Sequence, residues 1–344
     1  DSMHFTQTRI ATIDSYAVFW IMLMYFFMFR YFQMRWTSGR DFAKSLITLG
    51  LCGITMGVAW ATKWIGLYAS AGLAVLFFWS MARRWREYRA AMRDGRAEWA
   101  YAAAYPRYIG ITILFCLVFF VAIPMLIYYF SYYWHLRGEG LASFADMFSM
   151  RYVRKVIDLQ TRIFNYHAGL AGDTHYFRSP WYQWPIIWWP MWYFSGTANL
   201  PTSGMISSIS CMGNPAVWWF GLVALLYVLV RAAWKKRAPE AYLIVLIGFA
   251  SQFLPWVLVP RSTFIYHYFA SVPFIILASV LMLDRLRGED PMRENKRCES
   301  FGFAAALLCG IALLLFIAFY PLESGTPVAR WYAQLLRWFK WYNF

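Results

Sequence analysis

The chain has 344 residues, of which 61% are hydrophobic, 22% aromatic and only 14% charged. Soluble domains carry about 25% charged residues, so this composition excludes a soluble globular protein and indicates a polytopic membrane protein. The net charge of +15 does not indicate nucleic-acid binding, because the basic residues lie in short loops between apolar runs. The five cysteines have no paired spacing, which predicts neither a disulfide framework nor a metal site.

The N-terminal half contains four apolar runs that are long enough to cross a bilayer, which takes about 20 residues. They cover residues 16–32, 46–61, 66–81 and 109–130. The third run is followed by an arginine-rich segment, RRWREYRAAMRDGRAEW, whose composition predicts a polar helix. Pro124 lies inside the fourth run and predicts a kink there.

The C-terminal half contains four more runs, at residues 217–230, 242–259, 264–283 and 303–319. In the tail, apolar side chains recur near a helical period, which predicts an amphipathic helix at the membrane interface. The predicted fold class is an all-α polytopic membrane protein with about eight spans. Its regions are a four-span region at 1–130, an aromatic-rich extracytoplasmic loop at 131–215, a second four-span region at 216–320 and the interfacial tail at 321–344.

The distribution of lysine and arginine predicts the orientation of the spans. Most of these residues lie in the loops after spans one, three, five and seven, although the opposite side holds much longer sequence. Basic loops stay in the cytoplasm, so both termini and the loop at 131–215 are expected outside. The sequence therefore predicts a multi-pass protein of the cell membrane whose active face is extracytoplasmic.

The segment from His175 to Phe194, called the aromatic segment below, stands out between the two halves. It reads HYFRSPWYQWPIIWWPMWYF and combines five tryptophans with prolines at 180, 185 and 190. Proline removes a backbone donor and clashes with the preceding turn, so one continuous helix is excluded. Tryptophan and tyrosine favour the boundary between hydrocarbon and water. We therefore expect an irregular segment at the membrane surface that is able to line a site.

Charged residues near the first spans have two explanations each. Arg9 and Asp14 stand where the first span begins, and a basic anchor with a helix N-cap explains them as well as a functional role does. Lys63 lies at the outer end of the hairpin between spans two and three. A lysine that reaches toward the interface and a phosphate ligand are both consistent with that position.

Arg261, Tyr266 and His267 are concentrated at the outer end of the seventh span, in PRSTFIYHYF. Ionisable residues at a membrane boundary are functional candidates, and three such groups within seven residues favour a function. Arginine and lysine suit a phosphate group whose lipid tail stays in the bilayer. With the aromatic segment on the same side, the pattern predicts a site for an amphiphile with an anionic head.

Several motifs then resemble the protein O-mannosyltransferases, in particular their bacterial branch, the phospholipid carrier-dependent glycosyltransferases of the GT-C superfamily. The resemblance covers essentially the whole chain. The motifs, in chain order, are DSMHFTQTRIATIDSYAVFW, GITMGVAWATKWIGLY, HYFRSPWYQWP with PMWY, LPWVLVPRSTFIYHYFASVPF and the closing RWFKWYNF.

The resemblance implies a GT-C membrane fold with eleven spans, of which the eight found here match the last eight. It implies inverting transfer of mannose from a polyprenyl-phosphate donor to a Ser or Thr of a secreted protein. The family's general-base carboxylate lies before the point that corresponds to Asp1, so no catalytic residue is expected in this chain, and the chain is expected to be incomplete and inactive alone. Expected partners are membrane lipid, the lipid-linked sugar and the protein acceptor. No cofactor beyond that donor and no nucleic acid is expected.

The expected site residues are all substrate-binding. Lys63 and Arg261 are expected to bind the phosphate of the lipid carrier, with Arg9 as a weaker candidate. The remaining residues are expected to orient the phosphate or acceptor, or to wall the sugar or acceptor pocket: Tyr266, His267, Trp181, Tyr182, Trp184 and His175.

Other classes of function stay open. A related GT-C enzyme would move a different sugar onto a lipid or a cell-wall polymer, and the motifs do not identify the sugar. A transporter or flippase for lipid-linked sugars would require internal repeats and helices broken at mid-membrane, whereas the polar groups here cluster at the outer edge. A structural scaffold explains the spans but not the histidines and arginines on one face.

Overall fold

The protein is described by a computed structural model that covers residues 1–95, 97–141, 143–170, 175–196, 200, 204–234, 239–285 and 294–344. Helices dominate this part of the chain, and four short strands accompany them. Helices α1 to α13 are Ser2–Arg9, Asp14–Gln33, Gly39–Thr62, Ile65–Asp94, Tyr105–Cys116, Ile123–Ser131, Tyr133–Gly138, Met150–Gly169, Pro215–Trp234, Glu240–Phe253, Val272–Asp284, Glu294–Ser324 and Arg330–Leu336. Strands β1 to β4 are Met191–Ser195, Met205–Ile206, Ser208–Cys211 and Val328–Ala329.

Within the described residues, eight helical stretches are long and apolar enough to cross a membrane. This confirms the predicted all-α polytopic class and the number of spans. The first part of the arginine-rich segment belongs to α4, which extends beyond the third apolar run as far as Asp94. The stretches are Asp14–Gln33, Gly39–Thr62, Ile65–Asp94, Tyr101–Gly138, Pro215–Trp234, Glu240–Leu258, Ile265–Asp284 and Phe301–Ser324.

The chain forms two compact units. The N-terminal unit is Tyr16–Leu170, and the C-terminal unit combines Asp1–Ser15 with Ala171–Phe344. This division groups residues by packing, whereas the four regions predicted from the sequence group them by their relation to the membrane. The aromatic segment and the loop that carries Arg261 both belong to the C-terminal unit.

In the N-terminal unit, the fourth span changes its helical geometry beside its proline. A π-helical turn at Leu117–Ala122 joins α5 to α6, directly before Pro124. The wider turn accommodates the proline ring, which has no N–H to donate. Helix α3 packs against this turn so closely that a Cβ at Gly53 would lie 2.0 Å from the backbone oxygen of Phe119. Only glycine permits this approach.

In the C-terminal unit, the last residues of the aromatic segment belong to β1, which pairs with β3 in a short antiparallel ladder. A second short antiparallel ladder joins β2 to β4. The tail helix is shorter than the sequence predicts, since α13 ends at Leu336. Beyond it, Trp341 Nε1 donates to the oxygen of Trp188 at 2.6 Å, and the Tyr342 hydroxyl donates to the oxygen of Ile187. Tyr342 is buried by these contacts. The residues after Leu336 thus bind the aromatic segment and do not continue helix α13.

Candidate functional site

The aromatic segment is held by paired hydrogen bonds against the segment at 260–267, a loop that continues into a short 3-10 helix at Ile265–Ser271. Ser179 N donates to the oxygen of Thr263 at 2.8 Å, and Thr263 Oγ1 donates back to the oxygen of Ser179 at 2.8 Å. Both side chains are buried. Two regions that are 84 residues apart in sequence are therefore fixed in register at this point.

Trp184 forms the floor beneath this junction. Its side chain is fully buried, and Nε1 donates to the backbone oxygen of Ser179 at 3.0 Å and to its hydroxyl at 3.1 Å. The indole stacks on the His267 ring at 5.9 Å and meets the Trp256 ring edge-on at 5.6 Å. Trp184 thus has no surface to offer a ligand, and it positions the groups above it.

A strained turn follows the floor. Ile187 is buried and has φ of 57°, a left-handed conformation that is rare for a β-branched residue. Such a residue costs on the order of 1–3 kcal/mol and persists where its surroundings enforce it. Here Ile187 N donates to the oxygen of Trp184 at 2.9 Å, and its own oxygen accepts from Tyr342. The turn leads directly into Trp188 and Trp189.

An open cleft of about 490 Å³ lies between the aromatic segment and the second loop. Both charged side chains in its lining are arginines, Arg178 and Arg261. Indole and phenol rings form much of the remaining wall. The lining consists of Tyr176, Arg178, Ser179, Pro180, Gln183, Trp188, Trp189, Pro260, Arg261, Ser262 and Thr263.

His267 supports the guanidinium of Arg261. The His267 ring is buried, with Nε2 at 3.5 Å from an Arg261 nitrogen and Nδ1 at 3.0 Å from both the nitrogen and the oxygen of Phe264. The Phe264 backbone N–H donates to Nδ1 and fixes the orientation of the ring. The contact between Nε2 and the Arg261 guanidinium, at 3.5 Å, lies at the long end of hydrogen-bond distances. The His267 ring thus packs against Arg261 and limits where that side chain lies.

The other predicted residues of these two loops lie around the cleft rather than in its lining. Tyr266 stacks on His267 at 4.5 Å. Trp181 packs edge-on against Phe253 at 5.5 Å, while Tyr182 is 60% exposed. His175 is exposed, and its Nδ1 accepts from the backbone of the aromatic segment. The two loops predicted from sequence to form one site are therefore in direct contact.

Two predicted phosphate ligands lie elsewhere. Arg9 is exposed at the end of α1, where it donates to the oxygen of Ser324 at 3.1 Å and covers the Phe5 ring at 5.1 Å. Lys63 belongs to the N-terminal unit and forms the C-cap of α3. Neither residue lines the cleft.

The site contains residues outside the predicted substrate-binding set. Arg178, Trp188 and Trp189 line the cleft, although the predicted set from this segment was His175, Trp181, Tyr182 and Trp184. The spacing of the prolines was the signal that could have found the two tryptophans. Pro180, Pro185 and Pro190 divide the segment into turns, and the tryptophans that reach the cleft follow the second of these prolines.

A buried carboxylate in the same unit was also missed. Glu323 is 1% exposed, and neither of its oxygens forms a hydrogen bond of normal geometry with a described residue. Ser2 and the Cys211 thiol interact with it electrostatically. From the sequence, Glu323 reads as an ordinary charge at the end of the last apolar run. It is not among the cleft-lining residues.

Two buried titratable side chains of the same unit are neutral. Burial raises the pKa of the Cys211 thiol and of the Tyr193 phenol well above their usual ranges. The Tyr193 hydroxyl donates to Gln7 Oε1 at 3.1 Å. At neutral pH these side chains therefore supply neither a thiolate nor a phenolate to a reaction.

Fold and site together define a polytopic helical membrane protein with a basic, aromatic-walled cleft. Two family descriptions match the sequence. Residues 152–342 match the C-terminal four-transmembrane region of protein O-mannosyltransferase, and residues 1–137 match dolichyl-phosphate-mannose-protein mannosyltransferase. The chain belongs to the protein O-mannosyltransferase family, which confirms the resemblance found in its motifs.

Individual relatives agree with this assignment. The polyprenol-phosphate-mannose–protein mannosyltransferase of Mycobacterium tuberculosis is 25% identical over 299 residues, covering 81% of this chain and 54% of the relative. The enzyme of the same name from Corynebacterium glutamicum is 25% identical over 313 residues, covering 83% and 56%. The chain thus spans about half the length of these curated relatives. A structure of the Saccharomyces cerevisiae protein O-mannosyltransferase Pmt1-Pmt2 complex bound to the sugar donor shares 21% identity, with a TM-score of 0.44 over 59% of this chain and 27% of that one.

Proposed function

We propose that this chain carries the donor-binding part of an inverting mannosyltransferase. The donor is mannose on a polyprenyl phosphate, and the acceptor is a Ser or Thr hydroxyl of a protein on the extracytoplasmic side of the cell membrane. The names of the bacterial relatives support this donor and a protein acceptor. The cleft with its two arginines is the observation that carries the proposal.

The chemistry of the cleft suits a sugar phosphate. Arg178 and Arg261 supply the positive charge, and a guanidinium presents paired donors that match phosphate oxygens. Trp188 and Trp189 supply flat apolar faces beside them, on which the C–H faces of a pyranose are able to pack. Gln183 adds an amide that donates and accepts hydrogen bonds with sugar hydroxyls.

The residues around the cleft receive positioning roles. His267 is assigned to position Arg261, whose guanidinium lies 3.5 Å from Nε2. Trp184 is assigned to hold the two loops together through its hydrogen bond to Ser179 and its stack on His267. Tyr266 is assigned to orient the phosphate or the acceptor through its stack on His267. Trp181, Tyr182 and His175 are assigned to the rim.

Two cations outside the cleft are assigned weaker roles. Lys63, the C-cap of α3, and Arg9, in the last turn of α1, are each proposed as a ligand of the carrier phosphate. The general base that accepts the proton of the acceptor hydroxyl is assigned to a carboxylate outside this chain.

The test is transfer of labelled mannose in membranes from cells that express the native gene. Radiolabelled polyprenyl-phosphate mannose is supplied, and the label is followed onto protein, onto lipid or into wall polymer. Arg261→Ala should lower kcat/KM for transfer to protein by roughly 10- to 100-fold, since a charge-assisted hydrogen bond contributes about 1.5–3 kcal/mol. Arg261→Lys keeps the charge but loses the paired donors, so its kcat/KM should fall between those of the native protein and Arg261→Ala.

Arg337→Ala is the matched control. Arg337 is an exposed arginine of the same unit that does not line the cleft, so its replacement should leave transfer unchanged. Native turnover in a folded Arg261→Ala variant would remove that residue from the site. Label that arrives on lipid or wall polymer would instead establish a transferase with another acceptor, and label moved across the bilayer without transfer would indicate a flippase.

A further inference from the structure

Helix α8, Met150–Gly169, begins shortly after the fourth span and is not itself a span. Its start is well defined, because Ser149 Oγ accepts a hydrogen bond from Tyr152 N at 3.2 Å. The sequence MRYVRKVIDLQTRIFNYHAG mixes four basic residues with regularly spaced apolar ones. This mixture keeps it below the hydropathy of a transmembrane helix.

One side of α8 is covered by the N-terminal unit. Tyr152 and Val156, one helical turn apart, are buried in a cluster with Leu136, Leu141 and Met147. This contact fixes the rotation of the helix about its axis. The positions of the other α8 side chains around that axis are therefore fixed as well.

A second apolar face of α8 is left uncovered. Met150 is 68% exposed, Ile157 is 58% exposed and Phe164 is 65% exposed. Residues seven apart lie two turns apart and drift by only about 20° around the axis, so these three side chains form one line, called the apolar stripe below. It runs along most of the helix beside the buried face.

The apolar stripe continues the surface of the fourth span. That span, Tyr101–Gly138, exposes large apolar side chains such as Leu114, at 67%. Phe130 near its end lies 6.0 Å from the ring of Phe148, which is 71% exposed and precedes α8. The contact between Phe130 and Phe148 thus joins the apolar surface of this span to the start of α8.

The third face of α8 is basic. Arg151, Arg154 and Arg162 are exposed there, together with Asp158. Within the described part of the chain, neither Arg151 nor Arg154 forms an ion pair, whereas Lys155 pairs with Glu139 at 2.6 Å. The face therefore keeps a net positive charge that suits phosphate groups of anionic lipids.

We propose that α8 lies in the interfacial layer of the membrane, with the apolar stripe in the acyl boundary and the arginines among the headgroups. A helix with a strongly apolar face, a Lys- and Arg-rich polar face and low overall hydropathy binds at this depth. Two observations identify a lipid surface as what covers the apolar stripe. The basic face of α8 complements anionic headgroups, and the stripe adjoins the apolar surface of the fourth span. The helix anchors the segment that leads from the fourth span toward the aromatic segment.

Single spin labels on neighbouring residues test this placement. The native protein is reconstituted into nanodiscs of phosphatidylcholine and phosphatidylglycerol, and labels are placed by Ile157→Cys on the stripe and by Asp158→Cys on the polar face. Oxygen partitions into the acyl region and a nickel chelate stays in water. The Ile157 label should be relaxed mainly by oxygen and the Asp158 label mainly by nickel. The unsubstituted protein, labelled in parallel, provides the background from native cysteines.

Two outcomes would overturn the proposal. In the first, the Ile157 label is as accessible to nickel as the Asp158 label, which would place the stripe in water. In the second, the Ile157 label is immobilised and shielded from both reagents, which would mean that a protein partner covers it. Phe164→Cys repeats the measurement two turns further along, so the result does not depend on one substitution.

Discussion

Replacing Trp184 with phenylalanine should loosen the aromatic segment without unfolding the protein. The indole nitrogen is the only part of this side chain that donates to Ser179, and the ring fills the space between His267 and Trp256. Phenylalanine keeps an aromatic ring but removes the donor and part of the volume. The junction then loses the indole donor and keeps the two hydrogen bonds between Ser179 and Thr263.

The size of the effect follows from the hydrogen bond and the packing that phenylalanine does not provide. A hydrogen bond contributes about 1 kcal/mol net, and the smaller ring forfeits about 1 kcal/mol or more of packing in a fully buried site. Together they cost about 2 kcal/mol in the free energy of local opening. Since 1.4 kcal/mol is tenfold in an equilibrium constant, the open fraction should rise roughly 30-fold.

Trypsin cleavage after Arg178 measures that fraction. Arg178 lies in the aromatic segment itself, and the chain around it has to open before a protease is able to bind it. When reclosing is faster than cleavage, the cleavage rate tracks the open population. Mass spectrometry of the fragment that ends at Arg178, in a mild detergent, should therefore show a rate roughly 30-fold above that of the native protein.

Tyr182→Phe is the matched control, because this neighbouring side chain is 60% exposed and should leave the cleavage rate unchanged. Equal cleavage of Trp184→Phe and the native protein would refute the view that Trp184 holds the segment. A uniform rise at trypsin sites throughout the chain would show global destabilisation and would refute the local effect.

Two further predictions concern the N-terminal unit. Gly53→Ala places a Cβ 2.0 Å from the Phe119 oxygen, which should cost about 1–3 kcal/mol through displaced helices and lower the thermal unfolding midpoint by several degrees. Gly110→Ala is the control, because a Cβ there meets nothing within 4 Å and should leave the midpoint unchanged. Equal midpoints for the two variants would contradict the close approach at Gly53. The hydrogen bond from Lys155, and then its charge, hold the pKa of the Glu139 carboxyl below its usual range, so the pair stabilises the fold above about pH 4.3 and this contribution disappears as pH falls through the lowered pKa. The midpoint difference between the native protein and Lys155→Gln should accordingly be present at neutral pH and vanish near pH 3, and a difference independent of pH would contradict it.

The spans were predictable because hydropathy is a local property of about 20 consecutive residues. The sequence also predicted that the loop around Arg261 and the aromatic segment belong to one side, and the structure places these loops in contact at Ser179 and Thr263. Proline spacing correctly excluded a continuous helix there. These features depend on residue type and short-range pattern alone.

The contacts that shape the cleft were not predictable in the same way. The Tyr342 hydroxyl donates to the backbone oxygen of Ile187, which is 155 residues away in sequence. No pattern in either segment predicts this pairing. The tail has a helical period in its apolar residues, yet the gain from binding the strained turn ends the helix at Leu336. Helix α8 was overlooked for a different reason. Its arginines lower the mean hydropathy of the segment, so an average over the sequence does not show the apolar face.

The closure of the turn at Ile187 by Tyr342 also orders events during biosynthesis. The aromatic segment leaves the ribosome about 150 residues before its clamp does, since 153 positions separate Trp188 from Trp341. At about 5–20 residues per second, that interval lasts on the order of 10 seconds, during which four more spans have to be inserted. Over this time the cleft lacks one of its supports, and the exposed tryptophans are available to a membrane chaperone. The site is therefore completed only after these four spans have been synthesised.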